Sequence, residues 1–102
     1  EGATADRDAL AMIARAAGAH GPVTALVNNA ANDERHDPLA VTPDDWDRLM
    51  AVNLKCYFFA AQAVVPGMRA AGGGSIINFS SISYMMGNAG YSVYTTANSG
   101  IN

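Results

Sequence analysis

Apolar and polar positions form blocks along the chain that predict alternating helices and strands. In residues 5–18 the apolar side chains recur at helical spacing and stop at Gly18, which predicts an amphipathic surface helix. Residues 23–27 form a short apolar run without alternation, which predicts a buried parallel strand that ends at Asn28. Residues 75–80, with Ile-Ile-Asn-Phe at their centre, predict a second buried strand.

A long helix is predicted between these two strands. Thr42 provides an N-cap, and a proline and two acidic residues follow it, as is typical of a helix start. In the second half of this helix apolar residues recur on nearly every side, so that half is expected to be buried on several faces. The helix should continue through Arg69 and end at the glycines 72–74, and residues 91–102 again have helical character.

The order helix, strand, helix, strand, helix predicts an α/β fold with a doubly wound parallel sheet, right-handed crossovers and helices on both faces. Ligands of such sheets bind beyond the carboxyl ends of the strands. Both predicted strands end in short polar residues, Asn28-Asn29 and Ser80-Ser81, and a polar, irregular segment at 30–41 follows the first. We therefore expect a functional site at this edge of the sheet.

Composition excludes several classes of function. Half of the residues are hydrophobic, 15% are charged and the net charge is −3, so a nucleic acid partner is not expected. No uncharged apolar run approaches the roughly 18 residues of a membrane helix, and no leader pattern opens the sequence, which predicts a soluble, cytoplasmic protein without a membrane partner. The single cysteine, Cys56, is expected to be a buried small hydrophobe. His20 and His36 lie too far apart in the sequence to predict a metal site.

Four short motifs occur in order: Asn-Asn-Ala-Ala at 28–31, Val-Asn-Leu at 52–54, Ile-Asn-Phe-Ser-Ser at 77–81 and Tyr-Thr-Thr-Ala-Asn at 94–98. Together they resemble the short-chain dehydrogenase/reductase family over the whole chain. The resemblance implies a partial Rossmann-like domain, with two strands and about three helices, that uses NAD or NADP to interconvert an alcohol and a carbonyl. It also implies that residues 1–102 are the central part of one domain, without its glycine-rich pyrophosphate loop and substrate lid. Such a piece is expected to fold poorly or to aggregate when isolated.

The resemblance assigns roles to individual residues. Tyr94 matches the general acid/base, Ser81 the residue that holds the substrate oxygen, and Asn53 the helix asparagine that organises a proton-relay water. Asn28 and Ala30 match the element that lies along the cofactor, although Asn28 could equally serve only to cap backbone groups at the strand end. General chemistry supports such a set, since removing a hydride from an alcohol carbon requires a group that takes the hydroxyl proton.

Asn98 departs from the family pattern, which places a lysine four residues after the tyrosine. A cation about 5 Å from a tyrosinate, at an effective dielectric near 20, stabilises it by roughly 3 kcal/mol. Asn98 carries no charge, and it could contact a cofactor ribose only through a weaker hydrogen bond. We therefore expect Tyr94 to occupy the catalytic position in a severely impaired form of the site.

Other residues offer alternatives. Ser80 competes with Ser81 as the catalytic serine, and Ser83 is a lesser candidate. Asn53 could simply bond to backbone and kink its helix. Asp33 and His36 could contact a polar substrate. The expected substrate wall holds both polar and apolar side chains: Tyr84, Met85, Met86, Asn88 and Tyr91.

Residues 28–36 resemble family members that oxidise aldoses or polyols, which implies a sugar or polyol as the small-molecule substrate. A 3-oxoacyl thioester or ketone reductase remains an alternative, and the choice between NAD and NADP stays open. An alternative of another class is a noncatalytic, structural relative, which the uncharged Asn98 favours. The family resemblance also implies a homotetramer, with the apolar surface of residues 56–65 as one candidate interface.

Overall fold

The computed structural model of the protein describes residues 7–81 and 89–101. Its elements, in chain order, are α1 (Arg7–Gly18), β1 (Ala25–Asn28), a 3-10 turn (Pro38–Ala40), α2 (Pro43–Met50), a π-helical segment (Ala51–Lys55), α3 (Cys56–Ala70), β2 (Ser75–Asn78) and α4 (Ser92–Ile101). The predicted order of elements is confirmed. The long helix is continuous as predicted, but a π-helical segment that the sequence pattern does not reveal divides it.

The ends of the long helix follow from local chemistry. Thr42 Oγ1 accepts the backbone N–H of Asp45 at 3.1 Å, and the Asp45 carboxylate accepts the backbone N–H of Thr42 at 3.2 Å. In this capping box, two backbone N–H groups that have no partner inside the helix each find a side-chain acceptor. The hydrogen bonds from Thr42 hold the pKa of the Asp45 carboxyl below its usual range. At the other end, Gly72 and Gly73 have φ values of 94° and 146°, which favour glycine and end the helix.

The two strands are parallel, and Asn28 lies opposite Asn78 at their carboxyl ends. Both strands begin or end within two residues of the predicted bounds. The expectation that they are buried is wrong for both strands: Val27 of β1 is 54% exposed, and Ile76 and Ile77 of β2 are 40% and 50% exposed. Among the described residues each strand pairs only with the other, so these apolar side chains lack the cover that a wider sheet with helices on both faces provides.

The core lies where α4 packs against α2 and the π-helical segment. Leu49, Val52, Val93 and Ala97 are all buried there. A Cβ at Gly100 would lie 2.8 Å from Leu54 Cδ2, so a larger residue here would require the Leu54 side chain to shift. The packing brings the helix that carries Tyr94 against the helix that carries Asn53.

Helix α3 is less buried than expected. It packs against α1 and β1 and buries Cys56, Tyr57, Val64 and Met68, whereas Phe58 is 67% exposed. The prediction of burial on several faces is therefore wrong within the described residues, because no further element covers the Phe58 side. Cys56 is buried as predicted.

The continuous helical stretch Pro43–Ala70 is long and apolar enough, by length and composition alone, to cross a membrane. This stretch is not an uncharged run of about 18 apolar residues, because Lys55 lies inside it. Core helices of soluble proteins have the same composition, so the property is weak evidence for a membrane.

Candidate active site

The carboxyl ends of the two strands are joined by side-chain hydrogen bonds. Asn28 Nδ2 donates to Asn78 Oδ1 at 2.8 Å and lies 3.4 Å from the carbonyl oxygen of Tyr57. The Tyr57 hydroxyl lies 3.2 Å from the carbonyl oxygens of both Ala30 and Phe79. Burial raises the pKa of Tyr57, and the neighbouring Cys56 and Tyr94 raise it further, so the phenol stays a protonated donor. The Asn28 amide nitrogen is thus used inside the protein, which supports the structural alternative for this residue.

Asn53 closes the site from the π-helical segment. Its side chain is 2% exposed, its Nδ2 donates to the carbonyl oxygen of Asn32 at 2.9 Å, and its Oδ1 accepts the backbone N–H of Asn32 at 2.8 Å. Asn53 therefore bonds to backbone, as one alternative expected, but to a loop 21 residues away and not to its own helix. This pair fixes the start of the loop that follows β1.

Two serines follow β2 and have different surroundings. The Ser80 hydroxyl donates to the carbonyl oxygen of Asn98 at 3.1 Å, which ties the end of the strand to α4. Ser81 is half-buried at the carboxyl edge of the sheet, as the sequence predicted. The Ser80 hydroxyl thus bonds to a backbone group of α4, and the choice of Ser81 for substrate contact stays a prediction.

Tyr94 and Asn98 lie one turn apart on α4. Asn98 is 4% exposed, and its Nδ2 donates to the carbonyl oxygen of Tyr94 at 2.9 Å. Tyr94 is half-buried, and its ring meets the ring of Tyr91 edge-on with centroids 6.3 Å apart. The side chain at the position of the family lysine therefore bonds to its own helix.

Contacts between the loop after β1 and the start of α4 were not predicted from the sequence. Arg35 Nε donates to the Tyr91 hydroxyl at 2.8 Å, and the guanidinium carbon lies 4.9 Å from the centre of that ring. His36 Nε2 lies 2.8 Å from Ser92 Oγ and 3.4 Å from the backbone nitrogen of Val93. These residues are more than 50 positions apart in the sequence, so no local spacing could have paired them.

The remaining sequence predictions fall into two groups. Within residues 7–81 and 89–101, no three potential metal ligands lie together, and Asp33 is exposed in the loop after β1. Ser83, Tyr84, Met85, Met86 and Asn88, which include most of the expected substrate wall, lie outside the described residues.

The profile of the short chain dehydrogenases matches residues 3–102 of this sequence. The chain belongs to the short-chain dehydrogenase family. A solved structure agrees: a protein from Sinorhizobium meliloti 1021, provisionally described as a short-chain alcohol dehydrogenase, superposes with a TM-score of 0.90 at 34% identity. That match covers 96% of this chain and 39% of the other.

Curated relatives of this family member include sugar dehydrogenases. The "Probable galactose dehydrogenase GalD" of Rhizobium meliloti (strain 1021) is 49% identical over 81 residues, covering 79% of this chain and 32% of the relative. The "D-xylose 1-dehydrogenase" of Caulobacter vibrioides (strain NA1000 / CB15N) is also 49% identical over 81 residues, with 33% of the relative covered. A "3-oxoacyl-[acyl-carrier-protein] reductase FabG" of Thermotoga maritima is 34% identical over 97 residues, which is 94% of this chain and 39% of the relative. The chain spans about a third of the length of these short-chain dehydrogenases.

The described residues of this short-chain dehydrogenase fit the nicotinamide end of a cofactor in part. Ala30 is exposed beyond β1, and Tyr94 is half-buried on the helix that packs beside this edge. The charge complement is missing, because Asn98 carries no cation, and one N–H of its amide already donates to the Tyr94 carbonyl oxygen. The described residues therefore offer the Tyr94 phenol at this edge but no cation at position 98.

Proposed function

We propose that the complete protein is an NAD- or NADP-dependent oxidoreductase that interconverts an alcohol and a carbonyl, with an aldose or polyol as substrate. The observation that carries this proposal is the 49% identity to two sugar dehydrogenases, against 34% to a 3-oxoacyl reductase. The resemblance of residues 28–36 to aldose- and polyol-oxidising members supports the same choice.

In the proposed reaction Tyr94 and Ser81 act on the substrate oxygen, and Asn53 holds the loop beside them. The Tyr94 phenolate takes the hydroxyl proton while Ser81 donates to, or accepts from, the same oxygen. The nicotinamide ring, when bound, supplies the hydride acceptor. Asn53 holds the loop at Asn32 and so keeps the floor of the site in place, and a relay water near it stays a prediction.

Initial rates decide the substrate class. The complete protein, with NAD and NADP in separate reactions, is assayed with D-galactose, D-xylose and a polyol panel, and in the reverse direction with acetoacetyl thioesters. We expect kcat/KM for a sugar to exceed that for the thioester by at least an order of magnitude. Reduction of the thioester alone would contradict the proposal and favour the alternative reductase.

Asn98 favours a second candidate, a noncatalytic relative, because the uncharged side chain is bonded to the carbonyl oxygen of Tyr94. Titration with NADH, followed by its fluorescence, separates the two functions. Binding together with a measurable rate supports an impaired enzyme. Absence of binding by a folded protein supports the structural relative.

We propose a homotetramer for the complete protein, in line with the family resemblance, and the exposed Phe58 on α3 supports an interface there. Phe58→Glu should shift the mass measured by light scattering toward smaller species. An unchanged mass would exclude this face from the interface.

A cytoplasmic location stays a prediction from the sequence.

A further inference from the structure

The loop after β1 carries a histidine that bonds to the first turn of α4. We propose that His36, as the neutral tautomer protonated at Nδ1, is a positioning residue that holds the first turn of α4 and with it Tyr94. The catalytic consequence rests on the proposed function, since it requires Tyr94 to act on substrate. The structural part of the inference does not depend on turnover.

Two backbone contacts of the His36 ring define the tautomer. The Val93 backbone N–H can only donate, so His36 Nε2, 3.4 Å away, must accept. The Glu34 carbonyl oxygen can only accept, so His36 Nδ1, 3.3 Å away, must donate. Both contacts require the same neutral ring, and Nε2 can also accept the Ser92 hydroxyl at 2.8 Å.

The loop is anchored independently, so His36 can hold α4 rather than follow it. Asn32 is fixed through its backbone by Asn53, and Glu34 forms an ion pair with Arg48 of α2 at 2.8 Å. The backbone N–H of His36 also donates to the carbonyl oxygen of Gly90 at 2.9 Å, just ahead of the helix.

The bond reaches the catalytic position through one residue. Val93 is 1% exposed in the core between α4 and the long helix, and Tyr94 follows it directly. The first N–H groups of a helix have no partner inside the helix, so an acceptor from outside stabilises the first turn. His36 provides that acceptor from a different part of the chain.

Two variants of the complete protein distinguish the effect of the acceptor atom, His36 Nε2, from the effect of the size of the imidazole ring. His36→Gln keeps an oxygen near the place of Nε2, whereas His36→Leu removes the acceptor. In hydrogen exchange followed by NMR, the Val93 amide should exchange about fivefold faster in His36→Leu and close to the original rate in His36→Gln. Equal exchange in all three proteins would overturn the proposal.

The tautomer can be read directly in the unsubstituted protein. Long-range ¹H–¹⁵N spectra at pH 7.5, with His36 assigned by its loss in His36→Gln, should show the Nδ1–H form. An Nε2–H form would overturn the proposal even if His36→Leu fails to fold.

Kinetics test the catalytic consequence. We expect kcat to fall about tenfold in His36→Leu with KM little changed, and to be restored by His36→Gln. Normal kcat in His36→Leu, with fast Val93 exchange, would overturn the catalytic part alone. Absence of turnover in all three proteins would instead contradict the proposed function.

Discussion

Two buried asparagines, one on each of two packed helices, use their side chains in opposite ways. Asn53, 2% exposed, reaches to another part of the chain and makes two hydrogen bonds to the backbone of Asn32. Asn98, 4% exposed, donates to Tyr94 in the preceding turn of its own helix. Asn53 thus joins the π-helical segment to the loop after β1. The described bond of Asn98 connects two residues that are already one turn apart in the same helix.

Asn53 therefore joins two separate parts of the site, whereas the described hydrogen bond of Asn98 stays within one helix. Removing Asn53 would remove both of its hydrogen bonds to the Asn32 backbone, and the loss of part-buried hydrogen bonds costs free energy. Removing the amide of Asn98 takes one hydrogen bond from a carbonyl oxygen of its own helix. Charge and chemistry could therefore change at position 98 with less damage to the fold than at position 53.

The largest expected effect is on the rate. Asn98→Lys in the complete protein should raise kcat by about 100-fold, because a cation near tyrosinate is worth roughly 3 kcal/mol. Steady-state rates at saturating substrate, compared between the two proteins, measure the effect.

Asn98→Gln is the matched control for this gain, because it lengthens the side chain without adding charge. It should leave kcat within about twofold of the original. A gain in Asn98→Gln equal to that in Asn98→Lys would show that size, not charge, limits the site. No gain in Asn98→Lys would remove position 98 as the cause of impairment.

The next effect is on stability. Asn53→Ala should lower the free energy of unfolding by about 2–4 kcal/mol, because both part-buried hydrogen bonds to the Asn32 backbone are lost. Urea unfolding of the complete protein, followed by circular dichroism, measures the change. A loss below about 1 kcal/mol would mean that water replaces the side chain at little cost, and the contrast with Asn98 would disappear.

The thiol of Cys56, three residues after Asn53, reports locally on the different effects of changing Asn53 and Asn98. Burial raises the pKa of the Cys56 thiol, so the thiol stays protonated near pH 8 and reacts slowly with iodoacetamide. Asn53→Ala should loosen the π-helical segment and speed alkylation of Cys56 about tenfold, whereas Asn98→Ala should not. Mass spectrometry of the Cys56 peptide over time provides the rates.

Complete alkylation of Cys56 in urea-unfolded protein is the control that shows the iodoacetamide to be active. As pH rises toward 10, the thiolate fraction and the rate should rise in every variant, because burial shifts ionisation upward without abolishing it. Equal acceleration in both asparagine variants would indicate general destabilisation and would remove the contrast.

Local chemistry explains which parts of this architecture the sequence could predict. The capping box at Thr42 and the stop at Gly72 depend on neighbours within four residues, and both lie where the pattern placed them. The polar ends of the two strands meet at one edge because parallel strands share their direction, so Asn28-Asn29 and Ser80-Ser81 could be placed at the same edge from the sequence.

Partners distant in the sequence explain what could not be predicted. Nothing near Asn53 indicates that its side chain bonds to Asn32, and nothing near His36 indicates Val93, because each pair forms only after the helices pack. The exposure of Ile77 was missed for a related reason: an apolar run predicts a buried strand only where other elements cover it. Roles on substrate and cofactor for Tyr94 remain predictions that the proposed assays test.

The smallest expected effect completes the contrast. Asn98→Ala should lower the free energy of unfolding by no more than about 1 kcal/mol, because the Tyr94 carbonyl oxygen keeps its place in the helix and alanine favours helix over asparagine. Urea unfolding beside Asn53→Ala measures it under identical conditions. A loss as large as that of Asn53→Ala would show that Asn98 carries tertiary contacts beyond its own helix, and the tolerance to substitution inferred for position 98 would then be wrong. A small loss together with a large gain in Asn98→Lys would instead mean that position 98 sets the rate of this site while position 53 sets its shape.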